Sequence, residues 1–97
     1  MDMEALMAQA ADLQTKIAAA QDSLAQMQVR GIGGNGNVVV TMTGKYDLVS
    51  VVIQPTALES GAETVSKYVL DAYKDAKAKA DVLIEKTMSE VTGSLSE

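Results

Sequence analysis

The stretch GNVVVTMTGKYDLVSVVIQP, residues 36–55, decides the fold. It contains two runs rich in β-branched residues, 38–43 and 46–53, on either side of Gly44 and Lys45. Such runs are typical of strands, and a two-residue loop with glycine first is typical of a type II′ hairpin turn. The stretch therefore predicts an antiparallel β-hairpin over residues 38–54, which Pro55 brings to an end.

Both faces of the second predicted strand carry apolar side chains. Strict alternation places Val49, Val51 and Ile53 on one face and the remaining residues on the other. Helices from one chain can cover one face, so we expect a second copy of the chain to cover the other. The residues predicted for this dimer interface are Tyr46, Leu48, Ser50 and Val52.

Upstream of the hairpin, residues 1–29 predict one long helix with Asp2 as its N-cap. Its apolar positions follow an alternating spacing of three and four, at Met3, Leu6, Ala10, Leu13, Ile17, Ala20, Leu24 and Met27. About 26 helical residues span roughly 39 Å, whereas a compact domain of this size has a radius of gyration of about 13 Å. Part of the helix should therefore project from the globule or lie against another chain.

The helix should stop at the Gly-rich break of residues 30–37, although an extended segment near Gln28 to Ile32 would supply a third strand. Downstream, residues 56–91 predict a short turn and a long helix, and residues 92–97 a frayed tail. Ala72, Ala76 and Ala80 give this helix a small-residue stripe for packing. The prediction is a single α+β domain over residues 1–97, in the order α-β-β-β-α.

The composition excludes many functions. The chain has 97 residues, with 8 Lys and Arg against 13 Asp and Glu, and contains neither Cys nor His. Disulfides, thiolate or imidazole metal sites and Ser-His or Cys-His nucleophiles are thus excluded. No apolar run approaches the roughly 20 residues that cross a bilayer, and the first residues are acidic rather than basic. We expect a cytoplasmic protein without enzymatic activity, cofactor, small-molecule substrate or membrane partner.

One apparent motif has a structural explanation. Gly31, Gly33 and Gly36 match the dinucleotide-binding pattern G-x-G-x-x-G. That pattern works when it follows a strand and opens a helix, so that the pyrophosphate meets the helix N-terminus. Here it follows a helix and opens a strand, which indicates a connector.

The lysines of the last helix have two interpretations. The helix has five lysines between residues 62 and 86, interspersed with five acids. Several acids and lysines are four residues apart, such as Glu63 with Lys67, Asp75 with Lys79, and Lys77 with Asp81. This pattern is typical of a solvated face with weak ion pairs. The alternative is a set of phosphate contacts.

The whole pattern resembles the YbaB/EbfC family of bacterial nucleoid-associated proteins. The most specific piece is G-x-V-x-V-x-x-x-G at residues 36–44, followed by V-x-I-x-P at residues 51–55. The resemblance implies a tweezer-like homodimer in which the sheets of two chains associate. It also implies projecting helical arms that bind DNA, and a place in the nucleoid with a role in its organisation or in gene regulation.

The charge departs from the family pattern, because the first helix has only Lys16 and a dimer would carry twice −5, or −10. DNA binding should therefore be weaker than in a basic relative, or confined to a local patch. The resemblance supports binding that is sequence-tolerant. The predicted phosphate contacts are Arg30, Lys67, Lys74, Lys77, Lys79 and Lys86. The alternative function is a dimeric protein-interaction scaffold with little or no affinity for DNA.

Overall fold

The hairpin forms part of a three-stranded antiparallel sheet between two long helices. The computed structural model describes residues 2–95. The elements in chain order are α1 (Met3–Gln26), β1 (Gln28–Gly33), a 3-10 turn (Gly34–Gly36), β2 (Val38–Thr43), β3 (Leu48–Ile53), α2 (Pro55–Leu58) and α3 (Ala62–Leu95). The predicted order α-β-β-β-α is confirmed. Within residues 2–95, no helix combines the length and apolarity that a membrane span requires.

The core lies between the sheet and α3. The strands are arranged in the order β1-β2-β3, and alternate residues of the central strand face the helix. The core residues are Val38, Val40 and Met42 of β2 and Ala72, Ala76 and Ala80 of α3. The approach is closest at Gly31, where a Cβ atom would lie 1.9 Å from the backbone oxygen of Ala72. Only glycine on β1 therefore allows α3 to lie against it.

The first helix is anchored at its C-terminal end. Asp2 caps its N-terminus as predicted, accepting a hydrogen bond from the Glu4 amide at 3.1 Å. At the other end, the Gly44 amide donates to the backbone oxygens of Leu24 at 2.9 Å and Met27 at 3.1 Å. The molecule measures 68 × 18 × 15 Å with a radius of gyration of 19.1 Å, well above the value of about 13 Å for a compact chain of this length. The expectation of a projecting helix is confirmed.

The hairpin turn differs from the prediction. A type II′ turn needs a positive φ at Gly44, which the structure does not have. The loop instead spans residues 44–46, with the Tyr46 amide donating to the Thr43 oxygen at 3.0 Å and the Thr43 amide to the Asp47 oxygen at 2.8 Å. Tyr46 takes the left-handed conformation, with φ 68°, as expected for the last residue of a three-residue loop. The predicted two-residue turn is wrong, and Tyr46 lies outside β3.

A β-bulge changes the faces of β3. Thr41 pairs with Ser50 and Met42 pairs with Leu48, so that Val49 is the extra residue. Directly paired residues share a face, and Met42 faces α3. Leu48 therefore lies on the helix side of the sheet, and the prediction that it shares a face with Ser50 and Val52 is wrong.

Two predicted boundaries also shift. The last four residues of β1, 30–33, fall within the predicted Gly-rich break, because they pair with β2. The long helix continues to Leu95, so the prediction of a tail beginning at residue 92 is wrong for residues 92–95. The last two residues of that tail, Ser96 and Glu97, lie outside the described residues.

Candidate nucleic-acid interface

The outer face of α3 carries the first group of candidate lysines. Lys74 lies two residues from both Ala72 and Ala76, which are fully buried. Two residues correspond to a rotation of roughly 200° about the helix, so Lys74 faces away from the sheet. Lys67, seven residues earlier, is about two turns away and shares this face. Lys77 lies on the adjoining flank, and all three are exposed.

Lys79 and Lys86 form a second group, roughly 140° around the helix from Lys74. The Lys79 ammonium donates to the backbone oxygen of Arg30 at 2.7 Å, which fixes this side of α3 against β1. Lys86 follows seven residues later on the same side and is exposed. The structure thus brings Lys79 to the backbone of Arg30 and separates both from the outer-face lysines.

Of the ion pairs predicted on α3, the pair between Asp75 and Lys79 forms, at 3.1 Å. Asp81 instead accepts a hydrogen bond from the Tyr46 hydroxyl. This bond, together with partial desolvation and the nearby negative charge, raises the pKa of Tyr46. In the described part of the chain, no carboxylate lies within 4.0 Å of the ammonium of Lys67, Lys74, Lys77 or Lys86. These four lysines therefore keep their charges available.

Asp75 has a second contact, with the sheet. Its carboxylate accepts a hydrogen bond from the Ile32 amide at 2.9 Å. That amide, and secondarily the Lys79 ammonium, lowers the pKa of Asp75. The sequence indicates the pair with Lys79 but not this contact, because helix spacing carries no information on which strand the pair meets. The glycines of β1 and the alanines of α3 are the signal that could have placed the helix over this strand.

The residues predicted for the dimer interface lie at the other edge of the sheet. Every residue of β3 is exposed, including Leu48, Ser50 and Val52. Tyr46 is exposed in the adjoining loop. These four residues border one edge of the sheet but do not form the single face that strict alternation predicts.

The acidic side chains of residues 2–95 form no candidate metal site. Among the residues that the structure describes, no three or more carboxylates come close enough together to hold a metal ion. No buried side-chain nitrogen or oxygen in that part of the chain lacks a hydrogen-bond partner. The candidate binding groups that remain are thus the exposed lysines of α3.

A helix pair and a sheet, with exposed lysines among the acids of one helix, define an elongated α+β protein. The chain matches the model of the YbaB/EbfC DNA-binding family over residues 1–95. It belongs to that family.

Curated relatives agree with this assignment. A nucleoid-associated protein of Bradyrhizobium diazoefficiens is 38% identical over 95 residues, which cover 97% of this chain and 90% of the relative. One from Gluconobacter oxydans is 39% identical, covering 97% of this chain and 89% of the relative. One from Gloeothece citriformis is 45% identical over 75 residues, covering 77% and 66%.

The fold recurs in a solved structure. The crystal structure of an uncharacterised protein from Helicobacter pylori superposes with a TM-score of 0.75. The match covers 100% of this chain and 99% of that one, at 18% sequence identity. This similarity shows that the two chains share a fold.

Proposed function

We propose that the protein is a nucleoid-associated homodimer that binds DNA with little sequence preference through lysines of α3. The observation that carries this proposal is membership of a DNA-binding family over residues 1–95. The names of the relatives support the location in the nucleoid. Lysines without ion pairs supply the positive charge that phosphate contact requires.

The outer face of α3 is the best candidate for the contact. Lys67, Lys74 and Lys77 are exposed, whereas Lys79 is held by Asp75 and Arg30. Phosphate contacts position a protein on the duplex without reading its sequence. Contact through lysines therefore favours sequence-tolerant binding.

The chain's net charge of −5 opposes the approach of DNA. Because salt screens charges beyond about 8 Å at physiological ionic strength, the local patch can still attract phosphate. The proposed binding is accordingly weaker than that of a basic protein. It should also depend strongly on salt concentration.

The exposed third strand supports the homodimer. Five of the six residues of β3 are apolar, and all six are exposed in the single chain. Monomeric proteins rarely expose a continuous apolar strand at a sheet edge. A second copy of β3 would satisfy its backbone and cover its side chains. Leu48, Val51 and Ile53 on the helix side and Val52 on the other side would then become buried.

The test of DNA binding is fluorescence anisotropy with a labelled duplex of about 30 base pairs, roughly three helical turns. The double variant K74E/K77E should bind about tenfold or more weakly than wild type, because two phosphate contacts in each protomer are replaced by repulsion. The slope of log affinity against log salt should become shallower by about 2 for each protomer that contacts the duplex.

The control variant K16E/K45E changes the net charge by the same amount at positions outside the proposed contact. Its affinity should stay much closer to that of wild type. Equal losses in the two variants would place the effect in net charge rather than in α3. An unchanged affinity in K74E/K77E would contradict the proposed surface.

A protein-interaction scaffold is the second candidate, favoured by one observation. An open, largely apolar groove of about 420 Å³ lies between α1 and α3. Its lining residues include Ala19, Ala20, Met27, Thr87 and Val91. Apolar binding there would be insensitive to salt, so capture of a protein at high salt with no DNA binding at low salt would favour this function.

A further inference from the structure

The two edges of the sheet differ in how their backbone groups are used. At β1, two backbone groups that point outward, away from β2, form hydrogen bonds with side chains of α3. The Ile32 amide donates to Asp75 at 2.9 Å, and the Arg30 oxygen accepts from Lys79 at 2.7 Å. Asp75 and Lys79 also bond each other at 3.1 Å. The two side chains thus form a clamp along the outer edge of β1.

The edge at β3 has no such cover. In an antiparallel sheet, successive residues direct their backbone groups alternately towards one neighbouring strand and the other. Because residues 30 and 32 point outward, the pairing register directs the groups of Val51 and Ile53 outward at the opposite edge. No side chain within residues 2–95 forms a hydrogen bond with the backbone of either residue.

We propose that Asp75 and Lys79 restrict self-association to β3 by occupying the edge of β1. An exposed sheet edge is a template for another strand. A chain with two open sheet edges can add further copies without limit. Two chains with one open edge each pair those two edges with each other, and no open edge remains. The clamp therefore makes the assembly a closed dimer. This inference rests on the proposed homodimer.

The composition of β1 leaves its edge with little other protection against an incoming strand. Gly31 and Gly33 contribute no side chains that could obstruct an incoming strand, and both are required by the close approach of α3. Ile32 is exposed beside them and apolar. The strand has no proline, and Arg30 is its one charged residue. Of the devices that commonly protect an edge, it thus has a single charge, and further protection comes from the helix above it.

The experiment measures solution mass by size-exclusion chromatography with light scattering. Wild type should give about twice 10.2 kDa. The variant D75A/K79A, with the clamp removed, should form species above the dimer mass that increase with protein concentration. The control K67A/D71A removes an acid and a lysine at the same spacing on the same helix, where neither bonds β1, and should stay at the wild-type mass.

Amide hydrogen exchange at Ile32 gives an independent reading of the same clamp. Exchange should become about tenfold faster in D75A/K79A when measured below the concentration at which it associates, because the amide loses its acceptor. Unchanged exchange would overturn the proposal, as would a mass that stays at the wild-type value despite faster exchange.

A third variant separates this inference from the proposed dimer. Val51→Lys places a charge on the open edge of β3. In that background, D75A/K79A should still associate, and the association must then use β1. A monomeric wild type would contradict the proposed dimer. The role of the clamp would still be tested, because D75A/K79A should associate where the wild type does not. If D75A/K79A does not fold, the single variants D75A and K79M each remove one of the two bonds to β1, because neither Ala nor Met can replace the lost group. Failure of both single variants to associate would count against the proposal.

Discussion

The two strands of the hairpin have similar sequences and opposite environments. In β2, the three residues Val38, Val40 and Met42 are 0%, 1% and 0% exposed. Their direct partners on β3, Ile53, Val51 and Leu48, are 37%, 45% and 54% exposed. The more exposed strand is also the more apolar, with five apolar residues against four.

The difference lies in what covers each strand. The helix α3 lies over β1 and β2, because the glycines of β1 leave room for its backbone to approach that side of the sheet. No helix reaches β3 in the described chain to bury its side chains. The apolar side chains of β3 thus remain exposed in the single chain, which is the basis of the proposed dimer. Cross-strand pairs allow this comparison to be tested one position at a time.

The largest effect is expected at the pair of Met42 and Leu48. Met42→Ala should lower the free energy of unfolding by about 3 kcal/mol, because the side chain is fully buried and leaves a cavity. Leu48→Ala should have a smaller effect that grows with protein concentration, since its burial depends on association. Urea denaturation at two concentrations measures both. Equal, concentration-independent losses would contradict the contrast between the strands.

The next effect concerns association alone. Val51→Lys should weaken the proposed dimer at least tenfold, or by about 1.4 kcal/mol, because a charge would be buried at the interface. Val82→Lys is a matched control, since Val82 is exposed on α3 away from β3. Sedimentation equilibrium gives both dissociation constants. A dimer equally tight in Val51→Lys and Val82→Lys would remove β3 from the interface.

The smallest effect on stability is expected at the edge of the sheet where Asp75 of α3 bonds β1. The pKa of Asp75 is lowered in the folded chain from its ordinary value of 3.8. Its contribution to stability is therefore present above pH 3.8 and lost as the pH falls through the lowered pKa. The stability difference between wild type and Asp75→Asn should shrink over that range. Asp71→Asn, which makes no bond to β1, should show no such convergence in thermal unfolding curves.

Much of the fold follows from local sequence patterns. The β-branched runs, the small-residue stripe and the spacing of the first helix each reflect a periodicity that one element needs for packing. The turn and the bulge could not be predicted in this way. Tyr46 adopts a left-handed conformation that its bulky side chain disfavours, alongside a hydroxyl bond to Asp81, 35 residues away. That contact is absent from any local window of sequence.

The candidate site shows the same division. Charge spacing identifies the lysines and the pair of Asp75 with Lys79. It does not identify their separation into an outer group and a group beside β1, because that depends on the rotation of α3 about its axis. The same rotation is determined by Gly31 and Ala72, whose backbones meet. A residue's exposure to a partner thus depends on packing contacts made elsewhere on the helix.

The close contact between β1 and α3 also determines where the molecule can bend. From Tyr68 to Ala80, the helix packs on the sheet, and its backbone comes close to that of β1 at Gly31 and Gly33. Beyond Asp81, which accepts a hydrogen bond from Tyr46 of the hairpin loop, α3 has α1 as its neighbour, with an open groove between them. Flexing should therefore be concentrated past that point. The outer parts of the two helices would then move together relative to the sheet. In the proposed dimer, this movement would change the distance between the helix pairs of the two chains.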